Sequence, residues 1–186
     1  MSPRGPEPSR ARRAAVPTRV LTFVVASILV AAAASSARAT TPLPSQPPEE
    51  RARQALMPKS SDPIWSILAR SKVTADVAHG VYRIDNPPEV KALAGHEMTV
   101  TGFVLPLDPS PRFFHFLLTR NTPVCPFCPP GAPNEAIEVN ARTLMQPTTE
   151  PVTVTGRFVL QDNGAAGLFY QLDAADVTGG RRGKGF

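Results

Sequence analysis

MTVTGFVL (98–105) and VTVTGRFVL (152–160) are nearly the same word written twice. In each, a Thr-Val-Thr-Gly run leads into aromatic and aliphatic residues. Met98 and Val100 alternate with Thr99 and Thr101, the period-two pattern of a half-buried strand. Glycine weakens a strand interior unless the sheet must bend or bulge there. Gly102 and Gly156 are therefore expected strand bends, and two long bent strands suit a small, strongly coiled barrel. The similarity is too short to signal a repeat protein.

Outward from this pair the chain remains β-rich. RFFHFLL (112–118), AIEV (136–139) and LFYQL (168–172) read as further strands, and ADVTG closes the domain. Five strands in this pattern fit a mainly β, OB-like Greek-key barrel, with a β-sandwich as the alternative. Before the strands, Asp62-Pro63 marks a helix start, because Asp accepts from free backbone N–H groups and Pro is tolerated at the first helical position. Ile64, Trp65, Ile67 and Leu68 give that helix an apolar face, with Trp65, the one tryptophan, as core anchor. VYRI (81–84) is a candidate short strand within an otherwise unassigned stretch. PEVKALAG (88–95) is a helix of one to two turns ended by Gly95.

The first 39 residues read as a signal peptide. Five arginines precede an apolar-to-small run, Val20 to Ala34, and Ala37-Arg38-Ala39 is a small-x-small cleavage pattern. The run of about 15 residues is short of the roughly 20 needed to span a bilayer. Residues 40–61, rich in proline and then in charge, read as a flexible linker with a short helix near Glu49–Leu56. The barrel domain is expected over 62–178, and 179–186 as a disordered basic tail. The chain carries 20 Lys and Arg against 15 Asp and Glu; six arginines and Glu7 lie in the leader, leaving 14 of each sign. A formally neutral, exported domain does not match the basic footprint of nucleic-acid binding. Periplasmic or otherwise exported residence follows, with membrane contact only through an uncleaved leader.

NTPVCPFCPPGAPNE (121–135) holds both cysteines and five prolines. Three readings stay open. A redox pair of the thioredoxin kind sits at a helix N-terminus in a βαβ setting; Pro129-Pro130-Gly131 forbids that helix. Cys-x-x-Cys is also a metal half-site suited to zinc or monovalent copper. Cys125 and Cys128 then need further ligands, with His115 and Glu135 the candidates, or a second copy of the chain. The third reading is an inert disulfide. Pro126, Pro129, Pro130, Gly131, Pro133 and Asn134 shape the loop in each case. No G-x-S-x-G, H-E-x-x-H or glycine-rich phosphate loop is present, so the expectation is a binding module and not an enzyme.

GFVLPLD (102–108), FHFLLTR (114–120) and VCPFCPPGAPNEAIEV (124–139) together resemble the DUF3299 family, small exported bacterial proteins of unestablished function. The resemblance spans roughly residues 86–178. It implies an OB-like barrel in the envelope and an accessory role in a transport complex, for metals in some members. In many members of the family the loop has a Cys-x-His, then prolines, then Pro-Asn-Gln. Cys125 matches the cysteine, Phe127 stands in place of the histidine, and Glu135 in place of the glutamine. Cys128 becomes the substitute ligand, which suits either a soft metal or a redox pair.

Overall fold

In a computed structural model, residues 47–125 and 128–180 are described. Their elements run α1 (Pro48–Ala55), α2 (Pro63–Leu68), β1 (Lys72–Asp76), β2 (Val81–Asp85), α3 (Pro88–Lys91), β3 (Glu97–Pro106), β4 (Phe113–Thr119), β5 (Ala136–Met145), β6 (Val152–Asn163) and β7 (Leu168–Gly179). The leader, residues 40–46 of the expected linker, Pro126, Phe127 and tail residues 181–186 lie outside the described residues. Among the described residues no helix is long and apolar enough to cross a membrane.

The two Thr-Val-Thr-Gly words pair with each other. β3 and β6 are antiparallel, with Thr99 opposite Thr155, Val100 opposite Val154 and Thr101 opposite Thr153. The valines point inward and are fully buried. The threonines point outward and bond hydroxyl to hydroxyl, at 2.8 Å for Thr99–Thr155 and 2.9 Å for Thr101–Thr153. Such cross-strand pairs are the unit of sheet stabilisation. This pairing closes a five-stranded barrel in the order β3-β4-β5-β7-β6. β5 and β7 run parallel and the other neighbours antiparallel. Numbered within the barrel, the order is 1-2-3-5-4, the OB arrangement.

The two glycines act differently. Gly156 sits at a register shift between Thr155 and Arg157 in the β6–β7 ladder, as a bulge would require. At Gly102 the β3–β6 register runs without a break. There a Cβ would stand 2.7 Å from the Thr119 carbonyl and 3.1 Å from the Trp65 ring, so the residue allows a close approach.

Trp65 and Leu68 of α2 and Val90 of α3 join one core with Val100, Phe116, Phe158, Tyr170 and Leu172. Each fully buried side chain of this size contributes about 1.5–3 kcal/mol. α2 begins where the sequence expects: Asp62 Oδ1 accepts from the Ile64 N–H at 3.0 Å, and its Oδ2 accepts from the Thr101 N–H at 2.8 Å. Trp65 Nε1 donates to the Thr101 carbonyl at 2.8 Å, fixing the helix over β3.

Two segments depart from the sequence reading. Residues 72–85 form a hairpin: β2 contains the expected VYRI strand, and its partner β1 lies in the stretch left unassigned, where three of its five residues are exposed. Residues 47–61, expected within a flexible linker, are tied to the barrel. Ser60 N–H donates to the Arg120 carbonyl at 2.8 Å, Thr122 Oγ1 to the Pro58 carbonyl at 2.6 Å, and buried Gln54 to the Thr122 carbonyl at 3.3 Å.

Candidate functional site

Along β3 and β4 the apolar residues run on both faces. Val104, Phe116 and Leu118 enter the core. Leu105 and Leu117, opposite one another in the ladder, lie on the outer face yet are only 8% and 9% exposed. The cysteine loop helps to cover them. It leaves β4 after Thr119 and returns through a short 3-10 turn, Pro133–Glu135, into β5.

The ends of the loop are fastened by Glu135. Its Oε1 accepts from Arg120 Nη1 at 3.2 Å, and its Oε2 from Asn121 Nδ2 at 3.1 Å and the Ala132 N–H at 3.3 Å. Gly131 makes room for this clamp: a Cβ there would stand 2.6 Å from Asn121 Nδ2 and 2.8 Å from Glu135 Oε2. Asn134 Nδ2 donates to the Ser71 carbonyl at 3.0 Å. The Tyr170 hydroxyl in turn lies 2.8 Å from Ser71 Oγ and 3.0 Å from Asn86 Oδ1. Burial pushes the Tyr170 phenol above its ordinary pKa, and the Ser71 bond opposes that shift.

Between those anchors the loop has few donors, because Pro123, Pro126, Pro129 and Pro130 lack an N–H. Cys125 and Cys128 are joined as a disulfide, with Cα atoms 5.3 Å apart, and the Cys128 N–H donates to the Cys125 carbonyl at 3.4 Å. Pro129, Gly131, Ala132 and Pro133 form a partition. On one side is a cavity of about 560 Å³ reaching α1 and β1. On the other is a groove of about 240 Å³ against the outer face of the barrel. Cys128 lines the groove with Leu105, Leu107, Leu117, Ala136 and Leu168; Cys125 does not.

The four expected metal ligands do not converge. His115 faces outward on β4, where its Nε2 lies 2.6 Å from Glu138 Oε1 of β5. Gln161 Nε2 donates to Glu138 Oε2 at 2.9 Å, and Gln161, Gln171 and Asp173 continue the polar row across the sheet. Glu135 is engaged in the clamp, and both sulfurs are bonded to each other. Among the described residues no three His, Cys, Asp or Glu side chains form a group able to hold a metal ion. Within one copy of the chain, with the sulfurs bonded to each other, the described donors form a loop clamp and a disulfide and not a closed zinc or copper shell.

The groove itself was not foreseen. Its signal was present: FVLPL and FLL are apolar at consecutive positions, as in strands covered on both faces. Arg120 and Asn121 carried no comparable mark, since their role depends on a carboxylate fourteen residues away or more.

No curated protein matches the sequence. A crystal structure of a DUF3299 family protein from Pseudomonas aeruginosa PAO1 is similar, with 21% identity and a TM-score of 0.46, covering 70% of this chain and 86% of that chain. The model of the family described as protein of unknown function, DUF3299, matches residues 43–179. The chain thus belongs to the DUF3299 family.

Proposed function

We propose that this is an exported, non-enzymatic binding module of the bacterial envelope. Its groove receives an apolar side chain of a partner protein in a metal-linked transport complex. The observation that carries the reading is the outer face of β3 and β4. Leu105 and Leu117 are withdrawn from water outside the core, beside an uncharged groove that remains open. Folded proteins seldom build apolar clefts on a barrel exterior without an occupant. The prolines support the same reading, because a loop already restricted loses less entropy on binding. The basic leader and apolar run support export. The bonding of the two sulfurs to each other favours a metal carried by the partner.

The test places a photo-crosslinking residue at Leu107, 41% exposed at the groove, in cells making the full chain. Crosslinks to a transport subunit are expected, and are lost when Leu117→Asp is added to a protein that still folds. The same probe at Leu144, 51% exposed and at the other end of β5 from the groove residue Ala136, serves as control. Equal crosslinking from Leu144 would overturn the docking reading. A second reading, a thiol-disulfide protein, is favoured by the bonded Cys125–Cys128 pair itself. Reversible reduction within the envelope potential range supports it; resistance to strong dithiols counts against it.

A further inference from the structure

The two sulfurs are not equivalent. Cys128 forms part of the groove wall, whereas Cys125 lies outside the groove lining. Among the described residues that line the groove, Tyr82 alone besides Cys128 carries an ionisable side chain. The loop is fastened at Arg120, Asn121, Ala132 and Glu135 by bonds that do not involve sulfur. These end contacts therefore do not depend on the disulfide.

We propose that the groove is the entry to a disulfide-exchange site, with Cys128 Sγ the atom attacked and an uncharged, apolar-flanked dithiol the substrate class. The proposal rests on the groove being the working surface and on the second reading, the thiol-disulfide protein, in place of the non-enzymatic one. A substrate thiolate attacks Cys128 Sγ. The Cys125–Cys128 bond breaks, its electron pair leaves on Cys125 Sγ, and that sulfur takes up a proton. The second substrate thiolate attacks the substrate sulfur of the mixed disulfide and expels Cys128 as thiolate, which is then protonated. The substrate dithiol is oxidised to a disulfide, and two electrons and two protons arrive on Cys125 and Cys128. Which sulfur is attacked, and by what thiol, is governed by access as well as thiol chemistry.

Access from the groove determines both regiochemistry and selectivity. The oxidised full chain is exposed briefly to benzyl mercaptan or, separately, to anionic mercaptoethanesulfonate. Acid quenching and alkylation follow, and tandem mass spectrometry locates probe and alkyl label. Rates are normalised to a peptide of residues 121–135 bearing the same disulfide. The probe is expected on Cys128 and the alkyl label on Cys125 by about tenfold. Benzyl mercaptan is expected to react about tenfold faster than the sulfonate after normalisation. Leu107→Asp, a substitution at an exposed position, removes that preference without unfolding the barrel. Probe on Cys125, equal labelling of the two sulfurs, or the selectivity of the free peptide would each overturn the proposal. If Leu107 crosslinks are found while the exchange preference is absent, docking stands and exchange falls. If both fail, the groove is not the working surface.

Discussion

Along β6 the backbone is paired on both sides, to β3 and to β7, whereas the described residues between Pro123 and Gly131 belong to no strand. The barrel is held by many small, redundant terms: ladder bonds, hydroxyl pairs, and a core of valine, leucine and aromatic side chains. The loop is held by a few specific ones: a disulfide, one carboxylate clamp and the stiffness of proline. Redundancy makes the barrel insensitive to any single polar contact. The loop is sensitive to one bond that chemistry can break, which is a reason to place function there.

Removing the barrel's main anchor strains this contrast most. Trp65→Ala is expected to cost about 3–5 kcal/mol in denaturant unfolding, since the ring is buried and bonded to Thr101. A loss below about 1 kcal/mol would show that α2 is dispensable to the barrel. Gly102→Ala comes next, at about 1–3 kcal/mol, because the new Cβ meets the Thr119 backbone carbonyl, which cannot move alone.

Mutation of the loop should touch stability less. The double variant Cys125→Ser with Cys128→Ser is expected to lose about 2 kcal/mol or less, as the closed ring is very small. Thermal unfolding checks this, and a larger loss would make the disulfide a fold element. Gly131→Ala should cost under about 1 kcal/mol, because the crowded atoms are the side-chain ends of Asn121 and Glu135. Its expected signature is a faster reduction of the disulfide by dithiothreitol, and an unchanged rate would uncouple clamp from loop middle.

The smallest effect lies in the β1–β2 hairpin. Hydrogen bonds from His79 and then Arg83 hold the Asp76 carboxyl below the ordinary aspartate pKa. Its stabilisation is complete above the unfolded value and disappears as pH falls through the lower folded value. A stability profile from about pH 5 to about pH 2 should show a slight acid-side loss that Asp76→Asn lacks.

Local patterns made much of the barrel legible. The alternation at 98–101 and 152–155 showed which residues face inward, and Asp62-Pro63 marked α2, because both signals depend on neighbours a few residues apart. In the hairpin at 72–85 VYRI was legible as a strand, whereas β1 was obscure because it is only five residues long and Lys72, Thr74 and Ala75 are exposed. The extension of β5 to Met145 was obscure for the same reason, since Asn140 and Arg142–Leu144 are polar or exposed.

The candidate site divides in the same way. The sequence by itself determined that two cysteines lie in a proline-stiffened loop, and that Gly102 and Gly156 are special positions in paired words. Only the tertiary structure decided that the words pair with each other, that Gly102 admits Trp65, and that His115 turns to Glu138. It alone set Glu135 as the clamp and Cys128 in the wall of a groove. The physical reason is range: propensity and periodicity are written within a few residues, whereas close approach and shared cavities join residues from strands that meet only when the barrel closes.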